Sequence, residues 1–482
     1  MTFGKKKPAT KVEGPVLPPK RLLLMAAFVV TMIVFGVAFG LFGPLRDKAS
    51  DSIGADADGV TAQTLFRVGS TPDMQAVLTP ALVAGFLRQQ GCTTVSPVTD
   101  VAGNARLRCE ANGSRIAVTM FQTADPMGPL GRKTVDVALT SRKITADQAG
   151  ALLARGDMTA VNNEQLIARD AIAVVTHPSN PVARLSQAQL TAILTGATSD
   201  FANVGGKPGP IRLTTPAAGS RIDDMVQALV LGNDAMAAGT MAAGTNRVAG
   251  TVQVVAAVAA DPGAIGIVDI NGLSGGRALA IGPSKGIALK PTPMALASGD
   301  YGLMRSLFLY KPEIDQRPDA AAFADFVASA EGERIIASIG LVPLKIIRSS
   351  MPAIAGAPAE YSALTSGAER VSATIRFRPG TITIDNRGQS DLQTVAAHLL
   401  GERVAGRQVM VLGFTDPPQG GTAETSVDIS AQNLARQVAA TLGQHGLMPG
   451  TVRGFGAALP IADNATPAGR NHNRRVEIWV AP

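Results

Sequence analysis

Residues Leu22 to Phe42, LLLMAAFVVTMIVFGVAFGLF, form a run of 21 residues without a single charge. At about 1.5 Å per residue, a helix of that length crosses the ~30 Å hydrocarbon layer of a bilayer. Lys20 and Arg21 abut its start, and Lys5, Lys6, Lys7 and Lys11 precede them. Positive residues are retained on the cytoplasmic side, so the run is expected to be a single-pass anchor with the N-terminus inside and the bulk outside. A cleavable signal peptide is the alternative. Its apolar core is usually ~7–15 residues and is followed by a small-x-small site; Gly40-Leu-Phe-Gly-Pro-Leu-Arg46 offers none.

The anchor also explains the charge. The formal net charge is +7, but residues 1–48 hold eight Lys or Arg against Glu13 and Asp47, so +6 of it belongs to the N-terminal tail. The rest of the chain is nearly neutral and has no basic face for nucleic acid. Aromatics are only 4%, with one Trp, which argues against stacking platforms for bases or sugars. A length of 482 residues, 46% of them hydrophobic, supports two to four domains with real cores.

The expected organisation is a basic tail at 1–21, the anchor at 22–42, a linker at 43–61, a domain at 62–348, a Pro/Ala/Gly-rich linker at 349–367 and a last domain at 368–482. In the long middle part, apolar strand candidates such as Ile116–Met120, Val135–Leu139, Ala171–Val175, Ile211–Leu213 and Ile265–Val268 alternate with helical patterns. Such alternation implies an α/β fold with a mainly parallel sheet. The two cysteines, Cys92 and Cys109, flank a turn-rich Asp100–Asn104. A hairpin there brings them together, and outside the cytosol a disulfide is expected; two buried thiols are the alternative.

Three Ser/Thr/Gly loops follow strand candidates: Val68-Gly69-Ser70-Thr71, Leu139-Thr140-Ser141-Arg142 and Ala217-Ala218-Gly219-Ser220-Arg221. Hydroxyls and free N–H groups at strand–helix junctions suit an anion, although each loop taken singly is as well explained as a helix cap. The stretch 62–348 resembles the periplasmic phosphate-binding proteins of ABC transporters. The resemblance is carried by Val135–Thr145 (VDVALTSRKIT), Asp170-Ala-Ile-Ala-Val-Val with Asn180-Pro181-Val182, Asp261-Pro-Gly-Ala-Ile-Gly266, Tyr301-Gly-Leu-Met-Arg305, and Glu331-Gly332 through Gly340-Leu-Val-Pro343. It implies two lobes with crossing hinge strands closing on an oxyanion such as phosphate, held by Ser70, Thr71, Thr140, Ser141, Gly219 and Ser220. A departure touches that ligand: where the family's third loop reads R-x-x-x-S-G-T, Thr214 replaces the Arg and Ala218 removes a hydroxyl. Arg142, Arg212 and Arg221 are the candidates to restore the charge.

The last block reads as β-α-β-α-β. Its strands are Ala373–Phe377, Val409–Leu412 and the alternating Val476, Ile478 and Val480, and Ser390 and Ser430 are candidate helix caps. Gly413-Phe-Thr-Asp416, Gly454-Phe-Gly456 and P-x-x-x-N-x-T-x-x-GR-x-x-NRRVEI across 460–478 resemble the OmpA-type peptidoglycan-associating domain. The resemblance implies non-covalent binding of the diaminopimelate branch of the peptidoglycan stem peptide. Asp416 would take the ammonium, with Asn464, Gly469, Arg470 and Arg474 building the pocket. Acid beside base is what a zwitterion requires; a surface ion-pair network is the bland alternative. Asn433 stands where the family has a carboxylate-gripping Arg, and Arg436, one turn on, is a possible substitute.

Nothing points to catalysis. No nucleotide loop or nucleophile elbow occurs, and His177, His398, His445 and His472 suit no local metal motif. No catalytic residue, metal or cofactor is expected. The combined expectation is a bacterial inner-membrane protein with its bulk in the periplasm, joining a two-lobed receptor-like α/β domain to a wall-binding α/β domain. The alternative is a structural tether whose receptor-like domain has lost its ligand and serves protein interaction. A membrane transporter or signalling partner remains an open class.

Overall fold

The computed structural model describes residues 53–232, 240–417 and 424–482. The expected tail and membrane run at 1–42 lie outside the described residues, and among those described no helix is long and apolar enough to cross a membrane. Residues 53–482 form one compact unit.

All five strand candidates of the middle stretch are strands, but their sheet is mixed rather than mainly parallel. The strands Thr61–Ser70, Ser114–Gln122 and Val137–Thr140 run parallel, as do Arg212–Pro216, Asn246–Val248 and Ala264–Asp269. Between these groups lie two antiparallel crossing strands, Glu164–Thr176 and Met304–Tyr310. The 13-residue Glu164–Thr176 strand pairs through its first part with Met304–Tyr310 and through its last part with Ala264–Asp269. One strand thereby belongs to both lobes, and its reversed direction, with the antiparallel hairpin Val95–Thr99/Ala105–Ala111 at the first lobe's edge, makes the sheet mixed.

Each lobe has its own core. In the first, Phe66, Phe86, Phe323 and Phe326 pack around one another. Phe323 and Phe326 come from the returning helix Pro318–Val327, so this lobe is completed only after the chain has built the other. The second core gathers Ile172, Leu190, Met225, Ile265 and Leu303. The hairpin Val95–Thr99/Ala105–Ala111 edges the first lobe, its turn held by Asp100 Oδ1 accepting from the N–H groups of Ala102 and Asn104. Cys92, just past the helix Leu78–Gln89, is joined by a disulfide to Cys109 on the second hairpin strand.

The C-terminal block differs from the expected β-α-β-α-β in four ways. Two further strands, Arg348–Ser350 and Thr451–Gly454, give a five-stranded sheet ordered Arg348–Ser350, Glu369–Arg376, Arg475–Val480, Val409–Phe414, Thr451–Gly454, and a short helix, Pro467–Asn473, precedes the last strand in sequence. Strands this short were too brief a run for periodicity to reveal. The helix behind Ser390 begins one turn earlier, at Asn386, because Asp385 accepts from Gly388 N–H at 2.7 Å. Ser430 lies inside the helix Glu424–Gln444 rather than capping it. Arg475–Val480 is buried on both faces, not half-buried: Arg475 and Glu477 pair with each other at 3.1 Å and so enter the interior together.

The two expected linkers also carry structure. Ile53–Ala55 pairs with the strand at Thr61, and Arg348–Ser350 joins the C-terminal sheet. The helix Ala359–Thr365 plants Tyr361 against Phe414, Phe455 and Trp479, with its hydroxyl donating to Glu477 at 3.0 Å. Alanine and proline there made the composition look like a linker, although one tyrosine supplies a core contact.

Candidate functional site

The first two hydroxyl loops are neighbours because their strands are. Ser70 is in register with Leu139, and Thr71 N–H donates to Leu139 O at 3.2 Å. Much of their hydrogen bonding is spent locally. Ser70 Oγ donates to Gln75 Oε1, and Thr140 Oγ1 accepts from Arg142 N–H at 3.1 Å. Thr71 is the exception: its Oγ1 is buried without a hydrogen bond. In the third loop Ser220 caps the helix Arg221–Val226 through Asp223 N–H, and Gly219 N–H donates to Asp223 Oδ2 at 3.0 Å. Gly219 adopts φ +71°, a left-handed turn open to glycine. Thr214, in place of the family Arg, is buried, and its Oγ1 accepts from Asn246 at 3.4 Å.

Of the three candidate arginines only Arg221 enters the cleft. Arg142 donates to Ala124 O at 3.0 Å, and Arg212 pairs with Asp261 outside it. Arg221 pairs with the buried Asp170 and, at 3.6 Å, with Asp269. It also lines an open pocket of about 410 Å³ with Pro216, Ser220, Gly250 and Thr251.

Three residues central to the cleft were not among the sequence candidates: Asp73, Asp170 and Arg305. Asp170 and Arg305 are cross-strand partners on the crossing strands, 3.0 Å apart. Arg305 also reaches Asp73, at 2.9 Å, on the first lobe. Burial works against the Asp73 charge, but the Thr71 hydroxyl, Arg305 and the Ser141 hydroxyl outweigh it and hold the carboxyl below its ordinary range. On the second lobe, burial pushes the Asp224 carboxyl up; Arg305 opposes this, and Asp223 and Asp73 add to it. Asp170 and Arg305 do stand in the quoted sequence motifs, and strand register was the missing information that would have joined them.

In the C-terminal block Asp416 follows the strand Val409–Phe414, with Arg474 Nη1 at 3.8 Å. Arg474 is held by Thr381 O at 2.7 Å, and its Nε is buried without a hydrogen bond. Arg470 donates to Asn464 O at 2.9 Å. Asn464 Oδ1 accepts from Asn473, whose own Oδ1 takes the N–H groups of Ile461 and Ala462. Asn473 is therefore the organiser of this loop, a role that its place inside the arginine-rich motif concealed. Asn433 is exposed, and Arg436 turns to it at 3.4 Å rather than toward Asp416. Acid and base are brought together here; Asn433 is not.

Residues 60–331 match the model of the PBP superfamily domain, more than half of the chain. The chain belongs to the PBP superfamily. Residues 376–474 match the OmpA family. Probable lipoprotein YiaD of Escherichia coli K12 is 33% identical over 110 residues, which is 22% of this chain and 48% of that protein. The chain thus spans about half the length of that relative. Phosphate-binding protein PstS of Borreliella burgdorferi is 21% identical over 268 residues, 53% of this chain and 88% of that protein. A solved structure of PstS from Borrelia burgdorferi covers 58% of this chain and 98% of its own, with 19% identity and a TM-score of 0.45.

This PBP-superfamily chain packs its OmpA-family domain against its own hinge. Asp300, buried behind the helix Pro293–Ser298, accepts from Arg370 at 2.6 Å and Arg376 at 2.7 Å. Burial would raise the Asp300 carboxyl, but Arg370 and then Arg376 outweigh it and hold the group well below the carboxylate range. Ile287 N–H donates to Pro460 O at 2.8 Å, adding a backbone link between the two domains. A cavity of about 1190 Å³ lies between them, lined in part by Glu164, Arg169, Arg376, Asp391 and His472.

Proposed function

We propose that this protein is a non-enzymatic binding protein of the bacterial envelope. Its PBP-superfamily cleft takes an oxyanion such as phosphate, and its OmpA-family domain takes the peptidoglycan stem peptide through Asp416, Asn464, Arg470 and Arg474. The Leu22–Phe42 run would anchor it in the inner membrane, with both domains in the periplasm. The observation that supports the cleft reading is that Thr71, Ser141 and Arg305 surround Asp73 while Arg305 and Arg221 share Asp170. The relative named as a phosphate-binding protein supports the choice of ligand class.

A second reading, a tether whose cleft has lost its ligand, is favoured by a specific observation: both cleft arginines are already paired with carboxylates. Calorimetric titration of the full chain with phosphate separates the two. Saturable heat below millimolar phosphate, with a raised melting temperature, supports the receptor; silence to millimolar phosphate supports the tether.

A further inference from the structure

Ion pairs cross the cleft as a continuous chain: Asp73 to Arg305 at 2.9 Å, Arg305 to Asp170 at 3.0 Å, Asp170 to Arg221, and Arg221 to Asp269 at 3.6 Å. Asp170 is buried on a crossing strand and satisfies one arginine from each side, so it belongs to the frame. Asp73 does not. It projects from the short helix Pro72–Ala76, beside the Thr71 and Ser141 hydroxyls and against Arg305. These are the groups that an incoming oxyanion would use. The Thr71 hydroxyl, beside Asp73, favours its charge.

Charge counting sharpens the point. Asp73, Asp170, Asp224 and Asp269 face Arg221 and Arg305, so the centre holds more carboxylates than guanidiniums. Asp223 does not change the balance, because Arg247 neutralises it at 2.6 Å. A fully ionised oxyanion entering this cleft meets surplus negative charge, and withdrawal of Asp73 lowers that surplus by one.

We propose that Asp73 is a built-in competitor that occupies the oxyanion position and sets how tightly the cleft binds. The inference rests on the cleft being the oxyanion site proposed above. Removing the Asp73 charge releases Arg305 Nη1 and the Thr71 and Ser141 hydroxyls for the ligand, while Arg305 Nη2 stays on Asp170. A charge-assisted hydrogen bond to a buried anion is worth at least an order of magnitude in affinity.

The test is calorimetric titration of inorganic phosphate into the full chain as wild type, Asp73→Asn, Asp73→Ala and the remote control Asp261→Asn, with each melting temperature recorded. The expected result is a dissociation constant at least tenfold lower for Asp73→Asn than for wild type, with Asp261→Asn within twofold. A silent wild type with a binding Asp73→Asn also supports the competitor role, while removing phosphate as a ligand of the natural protein. Equal binding by wild type and both Asp73 variants overturns the inference and leaves the phosphate reading standing. Weaker binding by the variants overturns it too, making Asp73 a ligand contact. Silence from every folded variant overturns both the inference and the phosphate reading. If Asp73→Asn fails to fold, Asp73→Ala decides between these outcomes, and a collapse of both shows that Asp73 serves the fold, which also overturns the inference.

Discussion

Arg169 and Asp170 are consecutive residues whose side chains serve opposite sides of one strand. Asp170 meets Arg221 and Arg305 in the cleft, whereas Arg169 donates to Ala297 O at 2.5 Å on the side of the C-terminal domain. The alternation of a β-strand makes this unavoidable. Arg169 is so enclosed that burial, then the like charge of Arg387, lower its pKa to about 9, against the pull of Asp391. The crossing strand between the lobes is therefore also the seat of the OmpA-family domain.

Breaking the Asp300 junction is expected to be costly. Asp300→Asn leaves the buried guanidinium of Arg370 without its nearest carboxylate, and losing one partner of a buried pair typically costs ~3–5 kcal/mol. Urea unfolding followed by fluorescence of Trp479, buried in the C-terminal block, measures it. A loss under about 1 kcal/mol would show that the junction is not a structural hub.

Mild acid should destabilise this same region. Burial, then Arg376, push the His472 imidazole down to about 3 from its ordinary 6.5, while Asp300 opposes them and Arg475 adds to the shift. The unfolded chain takes up the proton as pH falls through 6.5 and the folded chain does not until about 3. The contribution of His472 is thus complete above pH 6.5 and lost progressively below it, by at most ~1.4 kcal/mol per pH unit. The ring is partly solvent-accessible, so the slope should fall short of that ceiling. His472→Gln is expected to flatten the wild-type decline in melting temperature between pH 6.5 and 4.5, a range above the titration of Asp300.

Reduction of Cys92–Cys109 is predicted to loosen the first lobe. The bridge closes a loop with a sequence separation of 17, for which chain-entropy arguments give about 3 kcal/mol. The Cys92→Ser/Cys109→Ser double variant should show that loss in chemical denaturation. Because Asp100 still holds the turn, amide exchange in the hairpin should remain slower than in an unfolded chain.

In the C-terminal domain, Asp416→Ala is expected to abolish co-sedimentation with purified peptidoglycan, and Arg474→Lys to weaken it by about tenfold, since lysine lacks the arginine fork. Unchanged sedimentation of Asp416→Ala would remove this pocket from the reading.

The pattern of apolar residues and turn formers already marked five strands of the middle stretch and the hairpin around Asp100, and the motifs marked the PBP-like and OmpA-like parts of the chain. Those features are local: a period of two, a Gly or Asp at a turn, or a dense motif such as 460–478 acts within a few residues. Helix starts were less legible, because Ser390 and Ser430 look like caps until Asp385 is seen accepting from Gly388 and the second helix is seen to begin at Glu424. Only the tertiary structure decided that Arg305 meets Asp170, 135 residues away, that Asp73 stands against Arg305, and that Asp300 receives Arg370 and Arg376. Charge pairing depends on distance in space, which strand register and domain docking set, and a linear chain carries no local mark of either.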